Sequence, residues 1–140
     1  MFTFEFSFRV LYGHTDKMGV VYYGTYPLFY EWGRTEMIRS LGLTYRELED
    51  SGTLMPVKNM QIQYHASARY DDLLTLKVTL REMPSVRMTF YYEIYNQQGE
   101  LINEAETTLV FVNSVSFRPC RPPKCPLERL APYFSMNTLR

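Results

Sequence analysis

A single segment with helical periodicity, residues 26–41, constrains the fold of this 140-residue chain more than any other feature. Its apolar residues recur at intervals of three and four, so they share one face of an α-helix. These residues are Tyr26, Phe29, Tyr30, Gly33, Met37 and Leu41. Pro27 lacks a backbone N–H and belongs in the first turn, which predicts a helix start between Tyr23 and Thr25. Gly42 supplies the C-terminal stop.

The two faces of this helix predict different surroundings. Gly33 lies within the apolar stripe, where the missing side chain allows the helix to approach a sheet closely. The opposite face carries charged residues, for which we expect contact with solvent or with another subunit: Glu31, Arg34, Glu36 and Arg39. A short second helix is predicted over residues 44–51, because Thr44 and Glu47 have the spacing of a capping box.

Most of the remaining chain alternates between apolar and polar residues with a period of two, which predicts half-buried strands. The alternating segments are 2–11, 59–64, 74–81, 87–94 and 104–111. Short turns between the later strands indicate antiparallel pairing. One apolar sheet face and one apolar helix stripe can cover each other, so the pattern predicts an α+β fold. The length and the absence of repeats predict a single domain over residues 1–140.

The charge balance and hydropathy exclude some classes of function. The chain has 15 basic and 15 acidic residues and no net charge, which gives no support to a nucleic-acid partner. No apolar run approaches the roughly 18 residues that a membrane span requires. The first ten residues alternate and lack the positive charge of a signal peptide. We therefore expect no transmembrane segment and a cytoplasmic location.

The C-terminal tail, residues 114–140, is basic and rich in proline. We expect it to wrap along the surface with about one helical turn. Its two cysteines, Cys120 and Cys125, are expected to stay as structural or incidental thiols in a reducing compartment. With only two histidines in the chain and no clustered ligands, no metal site is predicted.

The segment 12–26, with the sequence YGHTDKMGVVYYGTY, joins the first strand to the long helix. Backbone N–H groups at a helix start have no partner within the helix and lie at the positive end of its dipole. They can therefore stabilise a developing oxyanion. Asp16 lies a few residues before them, and a carboxylate at such a site suits hydrolysis of an activated acyl group. The alternative is that Asp16 only forms a turn.

This segment resembles the active-site segment of the 4-hydroxybenzoyl-CoA thioesterase family, and most of all that of the bacterial acyl-CoA thioesterases found with the Tol–Pal system. The matching residues within it are Tyr12, Thr15, Asp16, Gly19, Val20, Val21, Tyr22 and Tyr26. The resemblance continues through residues 29–43 (FYEWGRTEMIRSLGL), 58–74 (KNMQIQYHASARYDDLL) and 103–112 (NEAETTLVFV). It implies the hotdog fold, in which an antiparallel sheet wraps around one long central helix.

The resemblance also implies roles for individual residues. Asp16 matches the family's catalytic carboxylate, which attacks the thioester carbonyl or activates a water molecule, and the sequence leaves both routes open. Tyr23 stands where a backbone N–H polarises that carbonyl; the Tol–Pal relatives often have His there, whereas the 4-hydroxybenzoyl-CoA enzymes have Tyr. Tyr12 matches a residue of the family's active-site segment, and we expect it to support the catalytic residues. His14 would support Asp16 if the strand persists to residue 16, because both side chains would then share one side; otherwise it is an ordinary turn residue.

Substrate contacts are expected from the loop and from cationic residues. The loop candidates are Gly19, Val20, Val21 and Tyr22. Lys58, Arg69 and Arg87 flank strands in the half that resembles the family's ligand-facing region. They are candidates to bind the phosphates of coenzyme A, although for each one taken singly an ordinary solvated residue is the favoured interpretation.

The function implied by the resemblance is hydrolysis of a coenzyme A or acyl-carrier-protein thioester to a free acid and a thiol, without a cofactor. The family forms dimers and often tetramers through sheet edges, with the active site between subunits, and we expect the same here. Two alternatives are a β-hydroxyacyl dehydratase of the same fold and a non-catalytic acyl-thioester binding protein. The pattern Thr15-Asp16-x-x-Gly19 argues against the dehydratase, which usually uses a His together with a carboxylate.

Overall fold

Seven strands and three α-helices make up the computed structural model, which describes the backbone of residues 1–138 and the side chains of residues 1–134. The strands are β1 (Phe2–Arg9), β2 (Thr53–Leu54), β3 (Val57–Tyr64), β4 (Leu73–Leu80), β5 (Arg87–Tyr95), β6 (Leu101–Val110) and β7 (Val112–Asn113). The helices are α1 (Tyr26–Ser40), α2 (Tyr45–Asp50) and α3 (Lys124–Thr138). Single 3₁₀ turns at Tyr12–His14 and Tyr23–Thr25 precede α1.

Five of the strands form one antiparallel sheet in the order β1-β4-β5-β6-β3. β1 aligns with β4 from Phe2 opposite Leu80 to Arg9 opposite Leu73. The apolar residues of the alternating segments line the face that packs against α1, and the polar residues line the other face. This arrangement confirms the predicted α+β class and the antiparallel pairing.

The predicted apolar stripe of α1 is buried against the sheet. At Gly33 the helix comes so close to β4 that a Cβ atom would lie 2.5 Å from Leu76 Cδ2 and 2.8 Å from Val78 Cγ2. Tyr30 stacks on Tyr92 of β5 with ring centroids 4.6 Å apart. Glycine at position 33 thus places α1 directly on the central strands.

Two expectations about this part of the chain are wrong. Arg34, assigned to the outward face of α1, instead turns under the helix and donates from Nη1 to the Tyr92 hydroxyl at 3.0 Å. The first strand ends at Arg9 and not at residue 11, because the chain then enters the 3₁₀ turn at Tyr12–His14. The second helix starts after its Thr44 cap, whose hydroxyl accepts from the Glu47 N–H at 3.1 Å.

The tail forms more structure than its sequence predicts. Instead of one turn, α3 has 15 residues and includes Pro132. A proline inside a helix costs about 3 kcal/mol. Burial of Leu130 and Phe134 in the common core offsets this cost. The Met1 ammonium donates to the Tyr133 carbonyl at 2.8 Å.

The two edges of the sheet differ. At the β1 edge, α3 packs alongside, with the rings of Phe2 and Tyr133 4.4 Å apart. At the β3 edge, the inward-facing side chains of Met60 and Tyr64 remain 40% and 48% exposed. β3 is thus an apolar edge strand that no described element of this chain covers.

Buried tyrosines make the folded state sensitive to alkali. Tyr45 buries its hydroxyl beneath α1, and burial raises its pKa to about 12, with Arg34 opposing the shift in part. Burial also raises the pKa values of Tyr30 and Tyr92. Because the unfolded chain ionises near pH 10 and the folded chain does so at higher pH, the stabilisation is complete below pH 10 and is lost as pH rises towards 12.

We therefore expect the free energy of unfolding to fall by at least about 2 kcal/mol between pH 9 and pH 11.5, as the linkage relation predicts for Tyr45 alone. Urea unfolding followed by circular dichroism measures this difference. The Tyr45→Phe variant should lose that part of the pH dependence. Equal dependence in the parent and the variant would contradict the assignment.

Candidate active site

Asp16 is held in a tight turn whose backbone is closed at both ends. Its N–H donates to the Val20 carbonyl at 2.9 Å, and its carbonyl accepts from the Gly19 N–H at 3.0 Å. The turn requires glycine at position 19, where φ is +81°. The carboxylate Oδ1 accepts from the Met18 N–H at 2.8 Å. The other oxygen, Oδ2, forms no hydrogen bond with any described residue and is available for chemistry.

The segment before β4 fixes the position of this turn. Thr15 bridges to Val21, and Val20 bridges to Arg69. The Val21 N–H donates to the Ala68 carbonyl at 2.8 Å. These backbone contacts bind the loop to a buried part of the core, because Ala68 is fully buried. The loop that carries Asp16 is therefore anchored at both of its ends.

The chain enters the helix directly after this loop. The 3₁₀ turn Tyr23–Thr25 leads into α1, and Pro27 lies in the first turn as predicted. Within the described residues, the N–H groups of Tyr23 and Gly24 have no acceptor. Both groups lie at the positive end of the helix dipole. The predicted helix start thus carries two free N–H donors.

Two phenol groups lie side by side at the helix start. The rings of Tyr22 and Tyr23 are 4.7 Å apart. Hydrogen bonding with Tyr23, the charge of that phenol, slight burial and the charge of Asp16 together raise the pKa of Tyr22. The Tyr22 phenol, next to the helix start, thus lies within electrostatic range of Asp16.

His14 does not pair with Asp16 in this structure. Its Nδ1 accepts from the Leu11 N–H at 2.9 Å, and its ring packs at right angles against Phe29 with centroids 5.0 Å apart. Nδ1 therefore carries no proton, and partial burial lowers the pKa of the imidazole. The condition for a His14–Asp16 pair, a strand that continues to residue 16, is not met because β1 ends at Arg9.

Large apolar side chains surround the Asp16 turn and face solvent. Tyr12 and Met18 are 78% and 77% exposed. Tyr12 packs edge-on against Tyr70, with centroids 5.8 Å apart. Tyr22, Tyr23 and Tyr70 are exposed as well. An exposed apolar patch of this kind is typical of a surface that binds a ligand or a partner.

The three candidate phosphate-binding cations lie in different places. Arg69 adjoins the Asp16 turn, since its Nη1 would lie 3.9 Å from a Cβ atom on Gly19. Lys58 and Arg87 lie at the opposite end of the sheet from Tyr64, because Val57 and Met88 both pair with Leu109 of β6. Within one chain, only Arg69 is therefore brought to the Asp16 turn.

Two cavities of the single chain lie away from the Asp16 turn. The larger, about 520 Å³, covers the polar outer face of the sheet and includes Lys77, Glu93 and Glu104 in its lining. A second, about 230 Å³, lies beside Arg87 at the β4–β5 turn. Among the described residues, no group of three or more His, Cys, Asp or Glu side chains could hold a metal ion. No described helix has both the length and the apolar character to cross a membrane.

Sequence reasoning missed one residue that contacts the helix start. Tyr64, at the end of β3, donates from its hydroxyl to the Tyr23 carbonyl at 2.9 Å. Its ring packs edge-on against Tyr26, with centroids 5.4 Å apart. Tyr64 lies within the matched stretch 58–74, but its own strand pattern indicates only an inward-facing apolar position.

Comparisons with known proteins show which family this chain belongs to. A model of the thioesterase-like superfamily matches residues 10–130. The acyl-CoA thioester hydrolase YbgC of Escherichia coli is 36% identical over 121 residues, which cover 86% of this chain and 90% of that protein. A putative acyl-CoA thioesterase of Bacillus subtilis, YneP, is 34% identical over 79% of this chain and 80% of its own length.

Solved structures agree with the sequence matches. The crystal structure of a DHNA-CoA thioesterase from Staphylococcus aureus superposes with a TM-score of 0.82 and 30% identity, covering 99% of this chain and 87% of that one. The predictions of a hotdog fold and of a relationship to the 4-hydroxybenzoyl-CoA thioesterases and the YbgC type are confirmed. The chain belongs to the thioesterase-like superfamily of hotdog-fold thioester hydrolases.

Proposed function

We propose that this protein hydrolyses acyl-CoA thioesters at the turn that holds Asp16, with the start of α1 stabilising the oxyanion. Two features of the described residues carry the proposal: one Asp16 oxygen forms no hydrogen bond with them, and two N–H groups at the helix start find no acceptor among them. A thioester hydrolase needs a nucleophile or a base on one side of the carbonyl and hydrogen-bond donors on its oxygen. The names of the relatives supply the class of substrate.

Asp16 provides the carboxylate in this mechanism. Oδ1 remains bonded to the Met18 N–H, which fixes the side-chain rotamer and leaves Oδ2 to act. Oδ2 either attacks the thioester carbon, forming an anhydride that water then cleaves, or removes a proton from a water molecule that attacks instead. In both routes the carbon–sulfur bond breaks and the thiolate leaves. His14 takes no direct part, because its Nδ1 is bonded to Leu11.

The helix start binds the carbonyl oxygen. Negative charge develops on that oxygen as the tetrahedral intermediate forms, and the Tyr23 N–H opens the 3₁₀ turn that leads into the 15-residue helix α1. Preorganised donors of this kind cost no reorganisation during the reaction. Val20, Val21, Tyr22 and the exposed Tyr12 form the apolar surroundings expected for the acyl-thioester group.

A second copy of the chain completes the site. We propose a homodimer in which β3 pairs with β3 of the partner, because this is the edge that α3 leaves uncovered. Antiparallel pairing reverses one strand relative to the other, so the Lys58 end of one copy lies beside the Tyr64 end of the other. Lys58 and Arg87, which are remote from Asp16 within one chain, would then act in trans on the coenzyme A phosphates, while Arg69 acts in cis.

The proposed acyl donor is a thioester of coenzyme A or of acyl-carrier protein. Coenzyme A and acyl-carrier protein present the same thioester, and the exposed aromatic residues beside Asp16 fit an apolar acyl group in either case. No cofactor enters the proposed steps. A cytoplasmic location remains part of the proposal, in keeping with the free thiols of Cys120 and Cys125.

The first test replaces the carboxylate. Asp16→Asn keeps the size of the side chain and an oxygen that accepts from the Met18 N–H, but removes the charge. We expect the rate of thiol release from an acyl-CoA panel to fall by at least about 10³-fold, near the upper end for one acid–base group. Retention of activity within tenfold of the parent, with an unchanged circular dichroism spectrum, would remove Asp16 from the mechanism.

The second test separates the backbone of Tyr23 from its side chain. Tyr23→Phe should retain most activity, because the N–H and not the phenol binds the oxyanion. Tyr23→Pro removes the N–H at a helix start, where proline is tolerated, and Tyr23→Ala controls for the lost ring. Losing one oxyanion donor costs about 10²–10³-fold, so we expect Pro to fall below Ala by that factor. Equal rates for two folded variants would place the carbonyl elsewhere.

The third test concerns assembly. Light scattering at micromolar concentration should give a dimer or tetramer of the 16.6 kDa chain. Met60→Glu places a charge on the proposed β3 interface and should shift the mass towards the monomer and lower activity. The matched control is Met83→Glu, since Met83 is also exposed but lies in the β4–β5 connection. A fully active monomeric parent would exclude a composite site.

A further inference from the structure

The hydroxyl of Tyr64 makes a contact at the helix start that the mechanism above does not use. It donates to the Tyr23 carbonyl at 2.9 Å, across 41 residues of sequence. The ring is held in place by edge-on packing against Tyr26 of α1. The side chain therefore joins the end of β3 to the first turn of the helix through one polar and one apolar contact.

Pro27 leaves this carbonyl without the donor that a continuous α-helix would supply. In an α-helix, the carbonyl of residue 23 would accept from the N–H of residue 27. Residue 27 is proline and has no N–H. The 3₁₀ turn over Tyr23–Thr25 offers this carbonyl only the Tyr26 N–H. The Tyr64 hydroxyl adds a second donor from a different element of the fold.

The same peptide unit carries the Gly24 N–H. In a trans peptide the carbonyl and the following N–H lie in one plane and point in opposite directions, and no described peptide bond is cis. A hydrogen bond to the Tyr23 oxygen therefore fixes the direction of the Gly24 N–H and polarises it. Within the described chain that N–H has no acceptor.

Glycine at position 24 lets the Tyr22 ring pack directly on this peptide. A Cβ atom there would lie 2.7 Å from Cε2 of the Tyr22 ring, which packs across the peptide. Among the described residues, the adjacent N–H groups of Tyr23 and Gly24 have no acceptor. Both could reach the same oxyanion, since consecutive N–H groups at a helix start point in the same direction.

We infer that Tyr64 is a positioning residue, whose hydroxyl holds the Tyr23–Gly24 peptide so that the Gly24 N–H acts as a second oxyanion donor. This inference rests on the proposed function, because the oxyanion arises only in that reaction. Tyr64 also lies on the uncovered edge strand, so pairing of β3 with a second copy bears directly on the residue that sets the oxyanion site.

The test compares Tyr64→Phe with Tyr95→Phe. Phenylalanine keeps the ring on Tyr26 and removes only the hydroxyl. Tyr95 is the matched control, because its hydroxyl also forms a 2.9 Å hydrogen bond, to Glu93 on the outer face of the sheet. With acyl-CoA as substrate, we expect kcat of Tyr64→Phe to fall by roughly tenfold, as for one lost hydrogen bond, with KM within about twofold. Tyr95→Phe should match the parent in both constants.

A spectroscopic measurement tests the position of the peptide without the reaction. Labelling tyrosine carbonyls with ¹³C and glycine amides with ¹⁵N selects Tyr-Gly pairs, of which the chain has two, at Gly13 and Gly24. In Tyr64→Phe the Gly24 amide signal should shift, because its peptide loses the hydrogen bond to the Tyr23 carbonyl. The Gly13 signal, an internal reference, should stay in place, and Tyr95→Phe should leave both signals unchanged.

The outcomes separate the two proposals. An unmoved Gly24 signal, or an unchanged kcat in an active enzyme, would overturn the role of Tyr64 and leave the proposed function intact. A moved Gly24 signal together with a reduced kcat and constant KM would support it. A parent protein that releases no thiol from any acyl-CoA would overturn the proposed function, and the role of Tyr64 with it.

Discussion

The contact on which the rest of the structure depends is the close approach of α1 to β4 at Gly33. Any side chain at this position would collide with Leu76 and Val78. Because the helix lies directly on the sheet here, its first turn has a fixed height and direction relative to the strands. The Asp16 turn, bonded through Val21 to Ala68, is fixed to the same core. A carboxylate and a helix start separated along the chain thus share one rigid frame.

Buried hydrogen bonds between α1 and the sheet fix the orientation of the helix about its long axis. Tyr30 donates to Asn103 of β6, and Arg34 donates to Tyr92, which in turn bonds with Thr107 at 2.7 Å. An apolar interface alone tolerates small rotations, whereas buried hydrogen bonds have defined directions and are costly to break. Rotation of α1 would redirect its first N–H groups. The network therefore serves the site, although none of its members adjoins Asp16.

Periodicity was sufficient to predict most of the fold, because each strand and α1 has one face buried against the other. It failed where burial did not follow the local pattern. Arg34 is charged and lies on the flank of the helix, yet Tyr92 offers its guanidinium a buried acceptor. The proline-rich tail carries few helix signals, yet Leu130 and Phe134 reach the core and stabilise α3. In both cases a tertiary contact outweighed the local preference.

The candidate site shows the same distinction between residues that local sequence predicts and residues that only tertiary contacts reveal. Asp16, Gly19 and the helix start could be predicted from the sequence, because they lie close together along the chain and have local turn and helix signals. The contact of Tyr64 with the helix start could not be predicted. Its partner, Tyr23, lies 41 residues away, and its own strand pattern is that of any inward-facing aromatic residue. Lys58 and Arg87 are candidates whose place in the site depends on a second chain. Local sequence thus specifies the proposed reacting groups, whereas contacts between distant elements, and in the proposed dimer between copies, determine how those groups are positioned.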